Sequence, residues 1–211
     1  MKTLLFGGGT IESEAYKVVN DTDILIGVDR GAHRLIMNGF YPDIALGDFD
    51  SVSKEELITI QENSKQVMQC DAVNKNQSDM ELGLEAAAGL PFSKVLAFGA
   101  LGSRFDHSLT NIFLLERALE LGLRLELQNN TNIIQLTDSS LNINANSYPY
   151  VSLLPLSEIV EGVSIKGFYY PLENATLKRS SSLGVSNKMI EKTAAVFVKK
   201  GRLLVIQSSD Q

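Results

Sequence analysis

Hydrophobic positions in the first part of the chain form short blocks separated by stretches of helical period. Lys2–Phe6 reads as a strand that stops at Gly7-Gly8-Gly9, and Asp23–Val28 as a second that stops at Asp29-Arg30-Gly31. Pro42–Leu46 leads into Gly47-Asp48-Phe49-Asp50-Ser51, a short strand follows near Gln66–Gln69, and Lys94–Phe98 runs into the segment Gly99–His107. Arg124–Gln128 predicts one more strand. Between these blocks the pattern predicts a helix over 32–37 closed by Gly39, one from Ser53 through about Asn63, an Ala- and Leu-rich one opening at Ser78, and one from about Ser108 to Leu121. Ser53-Lys54-Glu55-Glu56 and Ser78-Asp79-Met80-Glu81 both have the S-x-x-E form of a capping box. Strands that alternate with helices of this length predict a parallel sheet covered on both faces.

After Asn129-Asn130-Thr131-Asn132 the helical period largely stops. Short apolar runs appear at 133–136, 141–143, 150–154, 159–165, 194–198 and 203–206, separated by Asn, Ser, Gly and Pro. Lys199-Lys200-Gly201-Arg202 has the composition of a hairpin turn between the last two runs. The expected architecture is α/β: an open parallel, Rossmann-like domain over residues 1–130, then a small antiparallel β-sandwich over 131–211.

Composition narrows the partners. The 211 residues are 44% hydrophobic and 21% charged, as in ordinary folded domains, with a formal net charge of −6. That balance argues against general affinity for nucleic acid or an anionic membrane surface, both of which want clustered Lys and Arg. No stretch approaches the ~20 apolar residues of a membrane span. The apolar run before Gly7 is too short for the core of a signal peptide. Cys70 is the single cysteine, so neither an intrachain disulfide nor a cysteine zinc site is expected, and a reducing, cytoplasmic setting fits.

The polar clusters share one address. Each follows a predicted strand: 7–9, 29–31, 47–51, 74–79 and 99–107. In an open α/β sheet the carboxyl ends of the strands face a common crevice where ligands bind. Asp48 and Asp50 stand two apart. In extended backbone their carboxylates lie on one side, ~7 Å apart, and a small kink brings both near one ion. Such oxygen donors suit Mg²⁺, which keeps water and phosphate among its ligands. An Asp-rich turn capped by Ser51 is the plainer alternative. Asp79 on a neighbouring loop favours the metal, although at a helix start it also complements the dipole. Gly99 and Gly102 permit close backbone approach, Arg104 offers the planar fork that binds phosphate, and Asp106 either orients Arg104 or caps the next helix. His107 reads first as a helix-start or packing residue, and His33, among apolar neighbours, as structural. Gly7-Gly8-Gly9 lacks both the G-x-G-x-x-G spacing and the Walker lysine. The residues alone therefore point to a Mg²⁺-dependent enzyme acting on a nucleotide or another phosphorylated compound.

Several blocks in order resemble one family. Val28-Asp29-Arg30-Gly31-Ala32 with 42–52, then 75–82, then Gly99–His107 with Asn111, and finally Gly167–Leu172 and Gly184-Val185-Ser186-Asn187 are similar to the thiamine pyrophosphokinases. The resemblance implies an α/β domain for ATP, a β-sandwich domain for thiamine, and a homodimer with thiamine near the subunit interface. It implies Mg²⁺ held at Asp48, Asp50 and Asp79, active-site roles for Arg104 and Asp106, and a thiamine pocket lined by Ser186 and Asn187. The ATP site is expected at Gly8, Asp29, Arg30, Gly31, Gly102, Arg104 and His107. Asn76, Ser103 and Lys188 depart from the residues usual in the family. The implied reaction is attack of the thiamine hydroxyl on the β-phosphorus of ATP with release of AMP. A pterin alcohol as acceptor, a sugar-nucleotide transferase and a non-catalytic nucleotide sensor are the competing readings. Asn187 is expected to hydrogen-bond the pyrimidine edge, against a simple turn role after Gly184.

Overall fold

In the computed structural model, which describes residues 1–70 and 76–210, the apolar blocks of the first part form six parallel strands: β1 (Thr3–Phe6), β2 (Ile24–Val28), β3 (Ile44–Gly47), β4 (Gln66–Gln69), β5 (Lys94–Phe98) and β6 (Arg124–Gln128). Their order is β4-β3-β2-β1-β5-β6. β1 is buried at every position, as are the last four residues of β2 and of β5, because helices cover both faces of these strands. β4 is short and mostly exposed, as suits an edge strand. The helices are α1 (Ser13–Lys17), α2 (Arg30–Met37), α3 (Lys54–Asn63), α4 (Asp79–Ala88) and α5 (Phe105–Glu120). Leu4 and Phe6 pack with Ala15 of α1 and Leu35 of α2 on one face. Leu5 faces Met80 and Leu84 of α4 and Leu114 of α5 on the other.

Three expectations need correction. The helices at 32–37 and 108–121 begin earlier, at Arg30 and Phe105, and the five-residue α1 was not anticipated. At Ser53 the full capping box forms: Glu56 N donates to Ser53 Oγ (3.2 Å), and Ser53 N donates to Glu56 Oε2 (2.7 Å). At Ser78 the described bond is the half in which Glu81 N donates to Ser78 Oγ (3.3 Å); the Glu81 carboxylate instead accepts from Gln77 Nε2 at 3.5 Å. The third concerns Lys199–Arg202 and is explained by the strands of the second part.

The chain divides into two units, Met1–Asn130 and Thr131–Gln211. Within the second, β7 (Asn132–Thr137), β13 (Leu203–Ser208) and β9 (Tyr150–Pro155) pair in the order β7-β13-β9. The other sheet runs β11 (Ala175–Lys178), β10 (Ile159–Lys166), β12 (Thr193–Phe197), β8 (Ser140–Asn144). Alternate residues such as Val151, Leu153, Val163, Ile165, Val196 and Val205 fill a shared core, the sandwich logic of period-two strands. The short β11 was missed because Leu177 is its single buried residue. The expected hairpin at 199–202 does not form: β12 and β13 lie in different sheets. Lys200 pairs instead with Glu161 of β10, beside the register shift between Val160 and Val163, and carries the chain from sheet to sheet.

The tightest packing in the first unit is backbone against backbone at the carboxyl end of β1. A Cβ on Gly31 would overlap the Phe6 carbonyl, and one on Gly9 would overlap the carbonyl of Gly99. Gly31→Ala is therefore expected to destabilise the protein by roughly 3 kcal/mol or more, since neither obstacle is a flexible side chain. Urea unfolding of the variant tests this; a parental midpoint would show that α2 shifts freely.

Candidate active site

β1 is where the sheet changes direction, with β2 on one side and β5 on the other. Loops from these strands meet at the crevice typical of ligand sites in open α/β sheets. Gly7 N donates to Phe98 O (2.8 Å) and Gly9 N to Gly99 O (3.0 Å), so the glycine turn is stitched to the end of β5. Gly8 projects free, with no atom within 4 Å of a Cβ placed on it.

The Asp-Phe-Asp turn after β3 is built by Phe49. Its ring is buried with Ala32, Ala45 and Ile60, and its φ of 59° turns the chain sharply. With the phenyl group inside, the flanking Asp48 and Asp50 face outward; Asp50 N donates to Asp48 Oδ1 at 3.1 Å. Asp29, also at positive φ (49°), accepts from Phe49 N at 3.1 Å. Gly47 allows this approach, because a Cβ there would collide with Oδ1 of Asp29. Arg30 adds a further tie by donating to the carbonyl of Ser51.

The result is a carboxylate cluster in which Asp29, Asp48 and Asp50 each place an oxygen within 4.8 Å of the others. Asp79, at the start of α4, lies close enough for its charge to act on the Asp29 carboxyl. Burial, then the charge of Asp79, then that of Asp48 push the Asp29 carboxyl up to about 7, against the Phe49 N–H, which favours its ionised form. Hard oxygen donors crowded in this way fit Mg²⁺, whose charge would relieve the repulsion. Asp29, placed by sequence with the nucleotide, thus stands inside the acidic cluster. The signal available was strand adjacency: β2 and β3 are neighbours, so the residues that end them lie side by side.

On the far side of β1, the loop after β5 carries Arg104. Its Nη2 and Nε donate to the two oxygens of Asp106 at 2.6 and 3.3 Å, and both side chains are exposed. This pairing holds the Asp106 carboxyl below and the Arg104 guanidinium above their usual ranges. His107 is exposed, its Nε2 3.8 Å from Asp106. Arg104 is the N-cap of α5 and makes no side-chain cap bond, so the first amides of that helix favour an anion. The strands that carry the acidic cluster, β2 and β3, lie two and three strand spacings from β5, roughly 10 to 14 Å. Gly102 is exposed and open, whereas Gly31 is buried and explained by packing. His33 pairs with Glu56 at 3.4 Å, the structural role anticipated. Residues 74 and 75 of the expected 74–79 loop lie outside the described residues.

In the second unit Ser186 is exposed at φ 58°, and its N donates to Ser152 Oγ at 3.1 Å. Asn187 does not offer its side chain as expected. It is buried; Oδ1 accepts from Tyr170 N (3.0 Å) and Lys188 N (2.8 Å), and Nδ2 donates to Tyr170 O (2.7 Å). Its amide fastens the exposed, edge-to-face Tyr169–Tyr170 pair.

The chain is similar to known proteins over its whole length. Residues 15–127 match the model of the thiamin pyrophosphokinase catalytic domain, and residues 138–203 match that of the thiamin pyrophosphokinase vitamin B1 binding domain. The thiamine pyrophosphokinase of Bacillus subtilis is 31% identical over 216 residues, with 100% of both chains covered. The chain belongs to the thiamine pyrophosphokinase family. Its fold superposes on crystal structures of the family members from Bacillus subtilis (TM-score 0.91, 29% identity, 100% of both chains) and Geobacillus thermodenitrificans (TM-score 0.90, 30% identity, 100% of this chain and 99% of that one). The catalytic-domain match spans Asp29, Asp48, Asp50, Asp79, Arg104 and Asp106, and the vitamin B1 domain match spans Ser186 and Asn187.

The crowded aspartates make a pH prediction for protein freed of divalent cations. Below about pH 4 Asp29 is protonated in both folded and unfolded chains and carries no penalty. Between about pH 4 and about 7 the unfolded chain ionises first, so stability falls as pH rises, and the full penalty stands above about 7. Asp29→Asn keeps an acceptor for Phe49 N and a donor for Asp79. It is expected to be the more stable protein at pH 8, by on the order of 2 kcal/mol after allowance for screening, with the gap closing towards pH 4. Thermal melts in chelator across that range check it; a gap that is constant with pH would contradict the account.

Proposed function

We propose that the acidic cluster and the Arg104 loop are the two poles of a diphosphate-transfer site, in which the family's reaction moves diphosphate from ATP to the hydroxyl of thiamine. The observation that carries this reading is the convergence of Asp29, Asp48 and Asp50 within 4.8 Å at the carboxyl ends of β2 and β3. The competing acceptors and the sensor reading are not favoured, because 138–203 match a vitamin B1 binding domain.

In this reading Asp48, Asp50 and Asp79 would hold Mg²⁺, with Asp29 beside them in the cluster. A bound Mg²⁺ supplies charge neutralisation at the phosphoryl oxygens. Arg104 and the α5 amides bind the phosphate chain at its other end, and Asp106 keeps the guanidinium plane oriented. Gly8 and Gly102 leave the backbone open for the nucleotide. The thiamine hydroxyl oxygen bonds to the β-phosphorus, the bond from that phosphorus to the oxygen bridging to the α-phosphorus breaks, the hydroxyl proton is released, and AMP departs. Positioning and electrostatics do most of the work in such transfers. Ser186 contacts thiamine in the second unit, and Asn187 shapes that pocket through Tyr170. The lone thiol of Cys70 and the absence, among the described residues, of a helix able to cross a membrane suit a cytoplasmic enzyme.

Incubation of the protein with ATP, Mg²⁺ and thiamine is expected to yield AMP and thiamine diphosphate in equal amounts. Asp48→Asn is expected to lose at least about a hundredfold in turnover, as the site loses a hard anionic ligand. Formation of ADP in place of AMP would reject diphosphate transfer, and parental turnover of Asp48→Asn at low Mg²⁺ would reject the metal site.

The active unit in this proposal is a homodimer whose sites draw the aspartates from one chain and Ser186 with Asn187 from the other. Family resemblance supports it, as does the exposed apolar row Phe105, Leu109 and Phe113 along α5, a surface that favours self-association. Asp48→Asn and Asn187→Ala, each inactive alone, are expected to regain activity when refolded together. A mixed dimer then has one intact site of two, and about half of a random mixture is mixed. No recovery from mixed dimers shown to have formed would exclude a shared site.

A further inference from the structure

α5 is amphipathic, but its inward face opens with polar residues. Buried along it are Ser108, Asn111, Leu115 and Ala118, a helical spacing that would suit four apolar side chains. Both polar groups turn back onto the loop that precedes the helix. The Ser108 hydroxyl accepts from Gly102 N (2.9 Å) and lies within donating distance of Gly102 O (3.0 Å) and Arg104 O (3.1 Å). Asn111 Nδ2 donates to Ala100 O at 2.7 Å. Three hydrogen bonds at a time, with the one hydroxyl proton of Ser108 serving either Gly102 O or Arg104 O, thus tie the loop from Ala100 to Arg104 to the first two turns of α5. The apolar face nearby, with Leu5, Leu84 and Leu127 around Asn111, would take a hydrocarbon side chain without difficulty. A polar pair there gains little stability over apolar residues, but it fixes a geometry.

We propose that Ser108 and Asn111 are positioning residues for Arg104, holding the loop from Ala100 to Arg104 in the shape that presents the guanidinium to the phosphate chain. Neither touches substrate; both act through the backbone of the loop. Arg104 needs such support, because its side chain is exposed and its described side-chain bonds go to Asp106, itself exposed. The loop backbone is thus what fixes where the guanidinium starts. The inference rests on the phosphate role given to Arg104 above.

The test is a double-mutant cycle on kcat/KM for ATP, with KM for thiamine and the melting temperature recorded for each protein. Ser108→Ala is expected to lose about ten- to a hundredfold, the scale of a charged group misplaced by a fraction of an ångström to one ångström. KM for thiamine should not move. In an Arg104→Ala background the same substitution is expected to cost less than about twofold, because there is no guanidinium left to misplace. Asn111→Ala is expected to follow the same pattern, and the Ser108 cycle decides the matter should Asn111→Ala fold poorly. Equal losses in both backgrounds, or no loss in the parent, would overturn the inference while leaving the Arg104 role intact. An Arg104→Ala protein with parental kcat/KM would overturn that role and the inference together.

Discussion

At the carboxyl edge of the parallel sheet, glycine backbone meets its neighbours with no space for a Cβ between them. Gly31 lies against the carbonyls of Phe6 and Gly7, Gly9 against that of Gly99, and Gly47 against the Asp29 carboxylate. This constraint fixes the rest of the site. Because α2 sits on the end of β1, Asp29 and Arg30 emerge beside the turn after β3. Because β1 is stitched to β5, the Arg104 loop is held at a fixed number of strands from the acidic cluster. The glycines are thus divided between two tasks. Gly7, Gly9, Gly31, Gly47 and Gly99 serve packing, while Gly8 and Gly102 have free space around them.

The acidic cluster opposes folding stability. Burial and two neighbouring carboxylates raise the Asp29 carboxyl to about 7, so near neutrality the cation-free protein holds a partly ionised, self-repelling group. Phe49 contributes the counterweight. Its ring joins the core of α2, β3 and α3, and its N–H donates to Asp29, so hydrophobic burial keeps the aspartates together against their repulsion. Crowding of this kind costs a scaffold stability and is typical of functional sites, where a bound cation would relieve it.

Much of this was legible in sequence, and the limits are physical. The parallel half was readable because strands such as Ile24–Val28 and Lys94–Phe98 are apolar runs with turn residues at fixed ends, a strong local signal. The Asp-Phe-Asp turn was readable for the same reason. What sequence did not give was tertiary. Asp29 joins the cluster because β2 neighbours β3, and Asn187 is buried with its amide bonded to the backbone of Tyr170; neither fact is local. The pairing of Lys200 with Glu161 is likewise decided by which sheet each strand enters, and a Lys-Lys-Gly-Arg segment looks alike in a hairpin and in a sheet-to-sheet crossing. The half-formed box at Ser78 depends on Gln77, one residue outside the motif.

Buried polar side chains separate scaffold from site by where they lie. Asp23 is buried at the amino end of β2 and is consumed by Lys2 at 2.7 Å and by the backbone of Asn20, a tie between strand ends far from the crevice. Ser108 and Asn111 are buried at the opposite end, and their bonds run to the loop that carries Arg104. Asn187, in the second unit, repeats the arrangement with Tyr170 as the segment held. In each of the last two cases a side chain that never reaches solvent fixes backbone that does. Such residues are hard to assign from a motif, because their proximity to functional residues in sequence suggests direct contact. Their described hydrogen bonds run to backbone, from Ser108 to Gly102 and Arg104, from Asn111 to Ala100 and from Asn187 to Tyr170 and Lys188, so each acts through the segment it holds.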